Sequence, residues 1–313
     1  MRYLLSLCTF LCCAIVSAQD YNLYYAGINK AKLALVEDSL EVGVAHYANT
    51  FQKFDFAFAR DCFNALEVAC ILRDTDNVDY FIRRCMAQGV GFELLAQDSM
   101  LTFFKATEHW RLLLNAKDSI RNSYVNQINW EVRAEVNSMF AQDQKIRDSA
   151  YKNRFNVFKL RRLKKQLEAL DRILVLRLLE ITQKYGFPGE KLIGLDTESM
   201  HPKINDQDIN AGMPIVIFIH HFSQPNESFN KVLINQIRTG NLSNEHYAII
   251  SDFQYEYGKE RFGKVCCYSQ RFSSKESTEV VNRNRKEIGL LDISNTYKLQ
   301  KKKYITPFWM RLR

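Results

Sequence analysis

The stretch MPIVIFIHHF, residues 213–222, decides the fold class. Ile215, Val216, Ile217 and Phe218 all favour strands, so one reading is a buried strand in an α+β C-terminal domain. Pro214 suits a first helical turn, and the segments on either side read as helices. The helical reading is taken, and with it a mostly α fold. His220 and His221 raise a second question. Neighbouring side chains diverge by about 100° on a helix and face opposite sides on a strand. The two rings therefore do not chelate one ion together, and at most one meets a polar cluster brought by other helices.

Downstream, NESFNKVLINQIRTG reads as a helix from Asn226, with Phe229, Leu233, Ile234 and Ile237 on one side and Gly240 as its stop. SNEHYAIISDFQYEYG reads as the next, from Ser243 to Gly258. RFGKVCCYSQRF alternates as a strand does, which places a small β element near 262–269. KESTEVVNRNRKEIGL reads as a last helix ended by Gly289, and residues 298–313 as a basic C-terminal tail.

Upstream, charge density rises from 116 to 186. Leu160, Leu163, Leu167, Leu170, Leu174, Leu178 and Ile181 step by three and four, the mark of a long amphipathic helix. Arg177 sits where a strict heptad wants an apolar residue, so the helix packs in a bundle rather than in a free coiled coil. Gly186 and Pro188 stop it. Residues 116–297 are read as one helical domain.

Residues 21–114 read as helix-turn-helix, twice. At an offset of 34 residues Ala31 matches Ala65, Leu35 matches Ala69 and Tyr47 matches Phe81. Small residues on one helix and an aromatic on its partner are how such repeats close up. This stretch resembles a pair of degenerate tetratricopeptide repeats, with Phe103, Phe104 and Trp110 in a closing segment. Residues 19–115 form that module.

Arg2, the apolar run Leu4–Val16 and the small residues Ser17 and Ala18 make 1–18 a secretory signal peptide, too short for a span. A soluble, exported protein is expected, periplasmic or extracellular, with no transmembrane span in its mature part. Three of the eight cysteines leave with the signal; the odd remainder, Cys62, Cys70, Cys85, Cys266 and Cys267, is no disulfide framework. The net charge of +8 concentrates in Arg161–Lys165 and in the C-terminal run. Export makes nucleic acid an unsuitable partner. Solvated basic faces are the plain reading, and peripheral contact with an anionic envelope surface the second.

From Asp143 to Leu290 a series of short motifs follows: DQKIR, Asp171, KYGFP, Gly194, His221, Gly240, Asp252, ERFG and NRNRKEIGL. In order and spacing they make residues 140–290 resemble a bacterial family of unknown function, with Asp-Gln-x-x-Arg, Tyr-Gly-x-Pro, His-His and Asn-Arg-x-Arg motifs. Phe253, Glu260 and Leu174 depart from that pattern, which carries an Arg, a Gln and an Asn there. The position within the motif favours His221 over His220 as the ring facing a polar cluster. Asp143 and Arg147 share a helix face. If they meet His221, Asp171 and Asp252, the set suits general acid–base work. No His-Glu-x-x-His, phosphate loop or Gly-x-Ser-x-Gly elbow is present, and no metal or cofactor is expected. The leading function is an interaction module that presents its repeats to an envelope protein or peptide. The alternative is a hydrolase-type enzyme built on His221, Asp143, Arg147, Asp171 and Asp252.

Overall fold

The computed structural model describes residues 19–195, 212–221, 227–257, 267–270 and 276–302. The expected signal peptide, Cys266, most of the expected β element and most of the basic tail lie outside them. The described elements are helices. Their order is α1 (Tyr21–Val36), α2 (Leu40–Lys53), α3 (Ala59–Leu72), α4 (Thr75–Ala87), α5 (Phe92–Gln97), α6 (Glu108–Gln127) and α7 (Trp130–Lys152). There follow α8 (Val157–Tyr185), α9 (Glu190–Ile193), α10 (Gly212–His220), α11 (Glu227–Arg238), α12 (Asn244–Tyr257), α13 (Thr278–Glu287) and α14 (Ile293–Gln300). No strand occurs among the described residues, and Cys267–Ser269 at the end of the expected β element have no regular structure.

The disputed stretch is helix. Pro214 lies in the first turn of α10, where its missing N–H costs no hydrogen bond. Strand propensity loses because α10 packs against α7, α8 and α12 together. Met213, Ile215, Ile217 and Phe218 are all buried, a pattern set by neighbours on several sides. Side-chain caps start several of the other helices: Asp20, Asp74, Thr107, Asn129, Asn156 and Asp292 each accept a backbone N–H of the first turn.

The N-terminal part is two helical hairpins, α1 with α2 and α3 with α4, stacked through α2 and α3. Ala31, Ala65, Tyr47 and Phe81, the positions paired in the sequence, are all fully buried. Gly43 lets α2 approach α1, since a Cβ there would press on Leu35. The rise in charge at 116, where the second domain is expected to begin, falls inside α6, which runs through as one helix packed on α4.

One apolar core extends from Tyr21 to Leu299. The outer face of α1 is covered by α11 and α14. Tyr25 Oη donates to the Leu242 carbonyl at 3.2 Å, and Asn29 Nδ2 to that of Gly289 at 2.9 Å. Gly240, at φ +72°, turns the chain against the Tyr21 ring, where a Cβ would collide. Residues 298–300, expected to open a tail, end α14 instead. Leu299 is buried, and Lys302 reaches Asp38 at 2.6 Å.

α7 and α8 pair along their length, and α10 holds them near Asp143 and Asp171. Beyond that point they form an arm. Between 144 and 170 only Leu163 is buried. The Val157–Asp171 span is about 20 Å long at helical rise. Its end exposes Tyr151, Phe155, Val157 and Phe158, with Phe155 at 85% and Phe158 at 91% of full exposure.

Candidate functional site

Asp143 and Arg147, four apart on α7, face α8 and α10. Arg147 Nε donates to Asp143 Oδ1 at 2.8 Å, and its Nη2 to Asp171 Oδ1 at 2.5 Å. His220 Nδ1 lies 2.9 Å from Asp143 Oδ2, which also accepts from Gln144 Nε2 at 2.8 Å. One guanidinium thus bridges two carboxylates, and an imidazole caps the inner one. Burial alone would raise the Asp143 carboxyl. The His220 hydrogen bond and charge, with those of Arg147, more than offset it and hold Asp143 below the usual carboxylate range. Asp171 goes the other way: burial raises it, Arg147 offsets part, and the charge of Asp143 adds to the rise.

The ring in this cluster belongs to His220, not to His221. α10 ends at His220, and the divergence of adjacent side chains turns His221 away. His221 Nδ1 is buried and has no hydrogen-bond partner among the described residues. Burial, then the charge of Arg172, keeps that imidazole below its ordinary value.

Asp252 is also elsewhere. On α12 it accepts the backbone N–H of Tyr268 at 2.7 Å and of Gln270 at 2.5 Å. The Asn-Arg-x-Arg motif serves the same segment. Asn284 Nδ2 donates to the Cys267 carbonyl at 3.1 Å, and Arg285 Nη1 to that of Tyr268 at 2.6 Å. Arg285 Nε reaches the Leu291 carbonyl at 2.5 Å and Nη2 the Thr296 hydroxyl at 2.9 Å. These side chains satisfy the backbone of irregular segments, which buried peptide groups require.

Sequence reasoning missed a second polar cluster, between α1, α3 and α12. Lys32 Nζ lies 3.3 Å from Glu245 Oε1 and 3.8 Å from Asp61 Oδ1, and Arg60 pairs with Glu245. Tyr24 Oη donates to Asp61 Oδ2 at 2.9 Å. All five residues are buried. Burial would lower the Arg60 pKa, but Glu245, Asp61 and Glu190 outweigh it and raise it. Lys32, Arg60, Asp61 and Glu245 border a cavity of about 40 Å³ shared with Asn29 and Arg285, room for roughly three waters or one small polar group. A drug-sized substrate does not fit such a space. The signal was present: Lys32 stands one turn from Ile28 and two from Tyr25 on the buried face of α1. A lysine on an apolar stripe asks for a buried partner. Which carboxylate answers it, 213 residues away, was not legible.

Among the described residues no group of three His, Cys, Asp or Glu side chains is placed to hold a metal, and no helix is long and apolar enough to cross a membrane. Cys62, Cys70 and Cys85 are free thiols in the core. No family model, curated protein or solved structure matches the chain. The resemblances drawn from its motifs stand on those residues alone.

Proposed function

We propose that the protein is an exported interaction module that engages a component of the cell envelope, and that it does so through the α7–α8 arm. The supporting observation is the exposure of Tyr151, Phe155 and Phe158 together at the end of a projecting helix pair. Single exposed apolar residues are ordinary, whereas a cluster of large rings at one apex marks a contact surface. A tetratricopeptide-like groove on the first hairpins is the other location for a partner. There α11 and α14 already cover α1, so the arm offers the freer surface. The test compares the intact chain with its F155S/F158S variant for retention on an envelope fraction. Loss of retention in the variant supports the reading; equal retention removes it.

A hydrolase built on the first cluster is the second reading. It is favoured by two carboxylates pushed in opposite directions beside a half-buried imidazole, the pattern that divides acid from base roles. His221 and Asp252 drop out of that site and His220 enters it. The check is turnover of a panel of acyl, phosphoryl and glycosyl esters by the wild type, H220Q and D171N. Turnover that both variants abolish while remaining folded supports it; none above buffer in the wild type ends it.

A further inference from the structure

We infer that the envelope component met by the arm is an anionic lipid bilayer, into which the apex inserts its aromatic rings. The inference rests on the arm-docking reading above and names its partner class.

Residues 151–165 hold seven basic side chains and no acidic one: Lys152, Arg154, Lys159, Arg161, Arg162, Lys164 and Lys165. Nearly the whole formal charge of +8 is therefore matched by one short stretch. The apolar and basic groups are ordered in space. Tyr151, Phe155, Val157 and Phe158 cluster at the turn between the helices, while Arg161–Lys165 lie one to two turns further along α8. Rings at the tip with cations set back is the arrangement that suits an interface of acyl chains under charged headgroups. The Arg154 guanidinium stacks 4.5 Å from the Tyr151 ring centre and 4.6 Å from that of Phe155. Its charge thus stays at the level of the rings, where a phosphate headgroup would meet it.

Exposure and charge favour a bilayer over a folded protein. Residues 151, 152 and 154–159, on both sides of the turn, are all exposed. A small exposed tip gains little from a rigid flat surface, whereas a bilayer deforms around it. The seven cations are complementary to an anionic surface and repel a second copy of the same arm. The Asp143–Arg147–Asp171 bridge ties the two helices of the arm together at its root.

The experiment is sedimentation of the full chain with vesicles of phosphatidylcholine containing about 30% phosphatidylglycerol, against vesicles of phosphatidylcholine alone. Two variants accompany it: F155S/F158S, and R161E/R162E/K164E/K165E. All six positions are solvent-facing, and helical circular dichroism checks that each variant folds. Expected are binding to the anionic vesicles only, a fall of about tenfold or more in either variant, and release as salt rises to about 0.5 M. No binding to anionic vesicles by the intact chain, binding unchanged in both variants, or equal binding to neutral vesicles each overturns the lipid assignment. Arm-dependent capture of a detergent-solubilised envelope protein, without vesicle binding, overturns it while leaving the arm-docking reading in place. Absence of both removes the two together. Self-association that the F155S/F158S variant abolishes, again without vesicle binding, assigns the apex to a second copy and overturns both.

Discussion

Lys32 Nζ stands 3.3 Å from Glu245 Oε1, joining the first helix to α12 across 213 residues of chain. Arg60 and Asp61 complete the cluster, so four charges are withdrawn from water where the hairpins meet the C-terminal helices. Removing one member strands the rest. E245A should lower unfolding stability by about 3–5 kcal/mol. The apolar double variant R60M/E245L leaves the Lys32–Asp61 pair and should be more stable than E245A alone. Urea midpoints at matched slope measure both. A small loss in E245A would show that water solvates the cluster well enough to make the pairing unimportant.

The Asp143 clamp should show in acid. Its folded carboxyl is held low by His220 and Arg147, so it contributes stability above its unfolded value of about 4. That contribution is lost as pH falls through the folded value. D143N removes it at neutral pH and should cost about 2–4 kcal/mol, because Arg147 and His220 lose their shared acceptor. The stability of D143N should also fall less steeply below about pH 4 than that of the wild type.

His246 gives a separate slope at milder pH. Burial, with the nearby Arg60 charge adding, pushes its imidazole down to about 3. The folded chain keeps it neutral while the unfolded chain takes a proton below about 6.5. Stability should therefore drop as pH falls from about 6.5 toward 3, by about 2 kcal/mol at pH 5 from this group alone. H246Q should flatten that part of the profile in denaturant titrations taken at stepped pH.

Cys62, Cys70 and Cys85 should not react with a thiol reagent in the folded protein at about pH 8. Burial pushes the Cys70 thiol up to about 12, and raises Cys62 and Cys85 as well. Modification of these three, followed by peptide mapping, should appear only where denaturant opens the hairpins. Labelling at native conditions would show that α3 and α4 separate readily.

The helices themselves were legible because their signals are local. Periodic leucines and stop glycines act within one or two turns, and α8, α11 and α12 lie where those signals place them. MPIVIFIHHF is read as helix from a local cue, Pro214, while packing against α7, α8 and α12 is what overrides its strand propensity. The charge rise near 116 falls inside α6, so composition changes there along one helix without the chain changing direction. The β element near 262–269 is read from alternation; of its described residues, Cys267 and Tyr268 have no regular structure and are held by Asp252, Asn284 and Arg285.

By itself, then, the sequence determined a helical chain, a face of α7 carrying Asp143 with Arg147, and the rule that adjacent histidines part company. Only the tertiary structure decided that His220 is the one that meets Asp143, that Lys32 answers Glu245, and that the rings at 151–158 stay uncovered. The physical reason is range. Helix formation is governed by contacts three and four residues apart, whereas partners and exposure depend on how helices pack across the whole chain.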